Sequence, residues 1–429
     1  MTFVPVLLLL LVFGLPIGVA FALIVVMNAD AWYMSIEYMA SAPFDTLQAY
    51  PLLAIPLFLL AGEVMSRGGM VRELIEFSEL FVKRLRAPMG HIMIAASAMM
   101  GAMTGSSVAT VAAMGTAIGP EMKRRGYAPG YIGALNASTG LAGVLLPPSI
   151  PLILYGSVVG VSVTQLFMAT LVPAFLFILA LMLTHTLRAR YVLPVGGEKT
   201  ETTASSDVSS TAGRMAGLMK SAGPALLLPA LVLGGIYSGF FTPTEAAAVA
   251  AVYAIFLTVA RKVLDLGSLN TVFFKAGISA AAIMFVIGLT SLFNKAMILE
   301  QVPQAIAALA TGFTDDPLVF LLAVNLALLL VGMFLETSAA VLLMGPLLAP
   351  AAASFGIDPV HFGIIVVINI EIGLLTPPLA TNLYVAAMTN RISFLSMLSD
   401  VKWFLLAALV VLLAITYLPD LSLWYRLLS

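Results

Sequence analysis

Residues 136–155 read NASTGLAGVLLPPSIPLILY, and residues 369–385 read NIEIGLLTPPLATNLYV. In each stretch two adjacent prolines interrupt an apolar run. A proline gives no N–H to the carbonyl four residues earlier and clashes with the turn before it, so a pair of them breaks a helix. Pro147 and Pro148 thereby release the oxygens of Gly143 and Val144, and Pro377 and Pro378 those of Gly373 and Leu374. Inside a bilayer, freed carbonyls must find a partner in protein or in a polar cavity. Ser149 and Thr376 place hydroxyls beside the two breaks. Such oxygen-only donors suit a hard cation such as Na+ rather than a transition metal. A proline kink satisfied by serine or threonine is the plainer alternative. Half-helices restarting after the breaks also aim positive N-terminal dipoles inward, which favours an anionic ligand.

The two stretches belong to a longer repeat. At an offset of 230, Gly115 matches Gly345, Pro120 matches Pro350, Gly126 matches Gly356 and Pro129 matches Pro359. Gly133, Gly143, Pro147 and Pro148 then match Gly363, Gly373, Pro377 and Pro378. The Gly and Pro content of the chain gives roughly 0.3 such identities by chance over this window. Charge sets the sense of the repeat. The loop from Glu121 to Pro129 holds Lys123, Arg124 and Arg125, whereas its counterpart from Ala351 to Pro359 has only Asp358. By the positive-inside rule the first loop is cytoplasmic and the second external, which makes the repeat inverted.

Composition agrees with a membrane setting. Hydrophobic residues make up 61% and charged residues 10% of the chain, and mean hydropathy is +1.07. A soluble domain cannot hide that much apolar surface. Apolar runs of about 20 residues recur, enough to cross the hydrocarbon as helices, and no alternating pattern suggests a barrel. The run from Thr2 to Met27 lacks a basic start and is read as a retained span. There is no cysteine, so disulfides and thiolate chemistry are excluded. A net charge of −1 points to no nucleic-acid partner.

Further lysines and arginines cluster between Arg67 and Arg86, at Arg188 and Arg190, and at Arg261 and Lys262; the segments 28–50 and 300–316 carry only acids among their charged residues. These anchors place the N-terminus inside and the C-terminus outside, with Lys295 as a dissenter assigned to an outer interface. The expected organisation is scaffold helices over 1–90, a first hairpin and broken helix over 91–190, and a cytoplasmic polar linker over 191–220. Second scaffold helices follow over 221–316, then the inverted repeat over 317–400 and a last span over 401–429. The fold class is thus an all-α polytopic membrane protein with two re-entrant hairpins and two broken helices.

The hairpins are read from polar clusters at mid-segment. Thr104-Gly105-Ser106-Ser107, with Thr110, sits midway between two basic loops, and Glu336-Thr337-Ser338 is its counterpart. Small residues and hydroxyls can simply pack helices closely, but here each cluster adjoins a broken helix. Glu336, at the second tip, is the acid with the best functional case. Glu63 pairs with Arg67 at i+4, and Glu245 after Thr242-Pro243-Thr244 reads as a first-turn cap. Glu371 lies in the second break, but its repeat partner is Leu141. His91, His185 and His361 have no metal spacing, and no phosphate-binding glycine loop with its lysine signals ATP use.

With these residues laid out, the chain resembles the large membrane subunit of the tripartite ATP-independent periplasmic (TRAP) transporters. The resemblance rests on Gly143-Val-Leu-Leu-Pro-Pro-Ser-Ile-Pro, Phe241-Thr-Pro-Thr-Glu-Ala-Ala-Ala, Gly105-Ser-Ser-Val-Ala-Thr and Gly373-Leu-Leu-Thr-Pro-Pro, and covers essentially the whole chain. It implies an elevator-type transport domain held by a scaffold in a bacterial inner membrane. It also implies Na+-driven uptake of a small organic acid, such as a C4-dicarboxylate or a sialic acid, delivered by a periplasmic substrate-binding protein. A separate small four-helix membrane subunit would complete the scaffold. Two or more Na+ positions carry over, one to Ser106, Gly143, Leu146 and Pro148, the other to Gly332, Thr337, Gly373, Thr376 and Leu379. Substrate candidates are Ser106, Ser107, Thr110, Ser149, Glu336, Thr337 and Asn382. The family pattern is departed from in one respect: Glu336 is an acid where the first repeat has Ser106. A self-sufficient ion-coupled carboxylate carrier of the same architecture is the alternative. An intramembrane enzyme would need a nucleophile–base or metal constellation, and the sequence offers none.

Overall fold

The helices start and stop where prolines and capping residues predict. The computed structural model describes residues 3–193 and 211–428, and among the described residues every regular element is a helix. The chain opens with α1 (Phe3–Val12), α2 (Ile17–Met27), α3 (Ile36–Leu47), α4 (Ala54–Arg67) and α5 (Met70–Val82). The first repeat is α6 (Pro88–Thr104), α7 (Ser107–Arg124), α8 (Pro129–Leu145) and α9 (Ile150–Val159), followed by α10 (Val163–Ala169) and α11 (Leu171–Val192). The second half opens with α12 (Thr211–Tyr237), α13 (Pro243–Ala260), α14 (Leu266–Leu299) and α15 (Val302–Phe313). Its repeat is α16 (Pro317–Phe334), α17 (Thr337–Ser354), α18 (Pro359–Gly373) and α19 (Thr381–Asn390), and α20 (Phe394–Tyr417) and α21 (Asp420–Leu423) close the chain. Among the described residues seven helices are long and apolar enough to cross a bilayer, or eight with α8–α9 as one bent span. The polar linker expected over 191–220 falls largely outside the described residues; α11 runs to Val192 and α12 already begins at Thr211, inside that stretch.

Local chemistry explains the boundaries. Pro88, Pro129, Pro243, Pro317 and Pro359 each open a helix, where a missing N–H costs nothing. Asp316 and Asp358 cap α16 and α18 through the backbone N–H groups of Leu318 and Val360. Thr242 and Glu245 form a reciprocal capping box at the start of α13, as the TPTE motif predicts. Glu63 and Arg67 pair at 2.7 Å, also as expected. Lys295 sits over the Tyr38 ring, 5.3 Å from its centroid, on the acidic side of the molecule read as external. At 34 residues α14 is about 50 Å long, more than the hydrocarbon needs, so it extends past the hydrocarbon or tilts within it.

The directions of the repeat helices follow from their contacts. Ser97 Oγ donates to Thr139 Oγ1 at 2.9 Å, and further along the same pair Gly101 meets Gly143 backbone to backbone, so α6 runs parallel to α8. Thr110 lies on Gly143, Val111 on Gly140 and Gly115 beside Asn136, so α7 runs the other way. Helices α6 and α7 therefore form a hairpin with Gly105 (φ 63°) at its tip. In the second repeat, Phe320 stacks on Phe355 just before α18 begins, and Gly332 meets Gly373 where α18 ends. Helix α16 is thus parallel to α18. Helix α17 starts at the far end, where Thr337 reaches Glu371, and runs back as the second hairpin arm.

The repeats interlock with opposite sense. Ile150 at the start of α9 lines a cavity with Glu371 and Leu374 from the end of α18, and Tyr155 further along donates to Pro359 O at 3.0 Å at the start of α18, so α9 runs antiparallel to α18. Asn382 on α19 lies against Gly140, while Thr389 and Asn390 reach Gly115 and Gly119, so α19 runs antiparallel to α8. Helices α8 and α9 are one span bent by 45°, and α8 and α18 therefore point in opposite directions. The inversion inferred from three basic residues is present in the packing. Every residue of α8 after Pro129 and of α18 after Pro359 is buried, and both helices are apolar on every face except for Asn136, Ser138 and Thr139 on α8 and His361, Asn369 and Glu371 on α18. Around them α4 packs on α13 and α14, and α14 on α2 and α3.

Candidate functional site

Four helix N-termini converge between the repeats. Ser106 caps α7 by accepting from Ala109 N, and Glu336, its partner at the 230-residue offset, caps α17 by accepting from Ser338 N, Ala339 N and Ser338 Oγ. The half-helices α9 and α19 begin at Ile150 and Thr381, immediately after the breaks. Ser106, Ser107, Ile150 and Pro151 from one repeat, and Glu336, Thr337, Ser338 and Thr381 from the other, line one cavity of about 70 Å³. Leu59 on α4 and Ile283 on α14 close it. Each N-terminus presents about half a positive charge; that of α17 is met by the Glu336 carboxylate, and the other three favour negative charge without a basic side chain. No lysine or arginine lines the cavity.

A larger cavity of about 540 Å³ adjoins it, with Leu59 common to the two. Its walls are Gly62, Glu63 and Ser66 of α4, Ala276 and Ser279 of α14, and Thr104, Ala109, Ala113, Thr116 and Ala117 of the first hairpin. The small cavity has room for ions and water, whereas the larger one falls in the range of small-molecule sites. The wall of small residues and hydroxyls on α7 reflects a helix face that fronts this space rather than a packed neighbour.

Each hairpin is tied to the break of its own repeat. Gly105 O accepts from Ile150 N at 3.3 Å, and a side chain on Gly105 would strike Pro148 O. Met333 O accepts from Leu379 N at 3.2 Å, and Gly332 lies on Gly373. The structure thus brings Ser106, Gly143, Leu146 and Pro148 into one neighbourhood and Gly332, Thr337, Gly373, Thr376 and Leu379 into another. The second break departs from the released-carbonyl expectation. Gly373 O accepts from Thr376 N at 2.8 Å and Leu374 O from Asn382 N at 3.3 Å, because the residues after α18 fold into turns and supply new N–H donors. A single lone pair of each oxygen remains for another partner. The breaks also differ in setting: Pro147 and Pro148 are buried, Pro377, Pro378 and Leu379 exposed.

Of the substrate candidates, Ser106, Ser107, Glu336 and Thr337 line the small cavity. Thr110 stands one turn along α7, its hydroxyl donating to Ser106 O at 2.9 Å. Ser149 and Asn382 are fully buried off the cavity wall, and neither the Ser149 hydroxyl nor the Asn382 amide has a hydrogen-bond partner. Such orphaned oxygens within the two breaks are the chemistry a small hard cation would satisfy. Glu371, for which any role must be asymmetric because the first repeat has Leu141 in its place, lies on the cavity wall between the two tips. An acid within a membrane span was the available signal. Leu59, Ile283 and Thr381 gave none, since only packing brings them there.

The sequence matches the family model "Tripartite ATP-independent periplasmic transporter, DctM component" over residues 4–421. It is 39% identical to the C4-dicarboxylate TRAP transporter large permease protein DctM of Pseudomonas aeruginosa, over 91% of this chain and 89% of that protein. It is 34% identical to the sialic acid TRAP transporter large permease protein SiaM of Vibrio cholerae, over 96% and 95% of the two chains. The isethionate TRAP transporter permease protein DctMQ of Oleidesulfovibrio alaskensis is 34% identical over 97% of this chain, which spans 65% of that longer relative. The crystal structure of the Alcanivorax borkumensis YdaH transporter aligns with a TM-score of 0.61 over 91% of this chain and 89% of the other; at 16% identity that likeness shows the fold alone. Motifs, inverted repeats and sequence matches along nearly the whole chain converge: this multi-pass protein of the bacterial inner membrane belongs to the family of TRAP transporter large permease subunits.

Proposed function

We propose that this subunit imports a small organic acid, driven by Na+, with the two hairpins and two broken helices moving as one body against α4, α13 and α14. A periplasmic substrate-binding protein would deliver the acid, and a small four-helix membrane subunit would complete the scaffold. The observation that carries the reading is the convergence of four helix N-termini on a cavity with no basic side chain. Such a site attracts a carboxylate but leaves its charge partly uncompensated within the membrane, so bound cations supply the remainder. The two breaks, each with a hairpin tip against it, are the places for them. The substrates for which the relatives are named, a C4-dicarboxylate, a sialic acid and isethionate, are all anions.

On this reading the acid enters the 540 Å³ cavity with its charged end toward Ser106, Ser107 and Thr337. The cavity lies between the α4–α14 wall and the first hairpin, the boundary an elevator movement would shear. Proteoliposomes holding this chain and its small subunit test the proposal. Uptake should require an inward Na+ gradient and the binding protein loaded with substrate. Uptake of free substrate without the binding protein would instead establish a self-sufficient carrier, and uptake indifferent to Na+ would remove the ion coupling.

A further inference from the structure

Glu371 is the most deeply buried acid of the membrane region, 1% exposed, and lies at the inner end of α18. Thr337 Oγ1 donates to its Oε1 at 2.9 Å, but Oε2 has no hydrogen-bond partner. Glu371 lines the 70 Å³ cavity together with Ser107 of the first hairpin tip and Thr337 of the second. Its neighbour Glu336 has a different task, since both its oxygens are engaged in capping α17.

We propose that Glu371 supplies the anionic ligand of an additional Na+ position, between the hairpin tips, with the hydroxyls of Ser107 and Thr337 as neutral ligands. The inference rests on the Na+-coupled reading above and adds to the two positions at the breaks. A buried carboxylate with an idle oxygen is costly, and three remedies exist. The Ser107 hydroxyl stands nearby but makes no hydrogen bond to Oε2. Protonation would neutralise the acid at the loss of a charged ligand, and the Na+ stoichiometry below separates that remedy from a bound cation. A cation in the adjoining cavity meets the oxygen directly, and the Thr337 hydroxyl, having given its proton to Oε1, turns lone pairs outward. Hard oxygen donors of this kind suit Na+. The position has no twin, because the first repeat carries Leu141 where the second carries Glu371. Its ligands come from both repeats, so it would form only when the two tips stand together, unlike a position confined to one break.

Equilibrium binding of radioactive Na+ to the purified complex of this chain with its small subunit, with choline holding ionic strength constant, tests the assignment. The Glu371→Gln complex should bind one Na+ fewer per chain than the wild type; equal stoichiometries would overturn the proposal. Should Glu371→Gln not fold, Ser107→Ala and Glu371→Asp take its place, each expected to weaken one class of Na+ by about tenfold. Unchanged titrations in those two variants would likewise overturn it. A wild-type complex that binds no Na+ at all would instead sink the sodium-coupled reading itself.

Discussion

At the scale of single residues, the site depends on glycines that let hairpin and broken helix touch backbone to backbone. A Cβ built on Gly101 would lie 2.0 Å from Gly143 Cα, and one on Gly373 would lie 2.4 Å from the Gly332 carbonyl carbon. No rotamer can relieve a clash with backbone. Gly101→Ala must therefore push the first hairpin off its break, at a cost of about 1–3 kcal/mol for overpacking. We expect Na+-dependent uptake to fall at least tenfold while membrane insertion persists. Gly234→Ala, where a side chain would meet open space, should leave uptake unchanged. If both variants transport equally well, the close approach is unimportant. Thr376→Ala removes a hydroxyl at the second break, now bonded to Ile372 O at 3.4 Å. It should raise the Na+ concentration for half-maximal uptake several-fold without lowering thermal stability, and an unchanged Na+ titration would strike Thr376 from that position.

At the scale of elements, caps set where the scaffold helices begin. The Thr242–Glu245 box holds the first turn of α13, and Tyr50 O accepts from Thr244 Oγ1 at 3.0 Å, joining that turn to the chain before α4. Thr242→Ala should cost about 1 kcal/mol, visible as a fall of roughly 1–2 °C in the unfolding midpoint of the detergent-solubilised protein. Asp265 caps α14 by accepting from Ser268 N at 2.8 Å, and hydrogen bonding from Ser268 holds its carboxyl below the usual carboxylate range. The sign follows from that depression. Its contribution is complete above the unfolded value, near about 4, and is lost as pH falls through the lower folded value. The stability gap between wild type and Asp265→Asn should accordingly be flat at neutral pH and narrow in acid. Thermal unfolding from pH 7 to 3 checks this, and a gap that widens in acid would contradict it.

At the scale of the whole molecule, the proposed elevator movement would carry the hairpins past the scaffold. A Cβ on Gly62 of α4 would lie 3.4 Å from Thr104 Cβ at the first hairpin tip, close to the separation a disulfide spans. The chain has no native cysteine, so Gly62→Cys with Thr104→Cys is the sole pair in the double variant. Oxidation should stop uptake and reduction should restore it. Full activity in completely cross-linked protein would show that α4 and the first hairpin do not separate during the cycle.

The sequence by itself determined the class, the repeat, its inversion and the two breaks. Each is a local consequence of residue type: hydropathy demands a bilayer, Pro147-Pro148 and Pro377-Pro378 forbid a continuous helix, and Lys123, Arg124 and Arg125 choose a side. The hairpin tips at Gly105-Ser106 and Leu335-Glu336 were legible for the same reason, because small, polar and capping residues stand where apolar helix should continue. What surrounds the tips was not legible. The new donors to Gly373 O and Leu374 O are Thr376 N just before the prolines and Asn382 N in the first turn of α19, set by how the chain folds around the break, and the position of Glu371 between Ser107 and Thr337 depends on helices from opposite repeats crossing. Leu141 and Glu371 hold equivalent places in sequence, yet only one is an acid, so the repeat showed that a role would be asymmetric and only position in space shows what the acid faces. Contacts between residues more than 200 positions apart, such as Gly140 with Asn382 and Tyr155 with Pro359, are set by how whole helices interlock. Local residue chemistry decides where this chain breaks, and only the packing of the inverted halves decides what the breaks enclose.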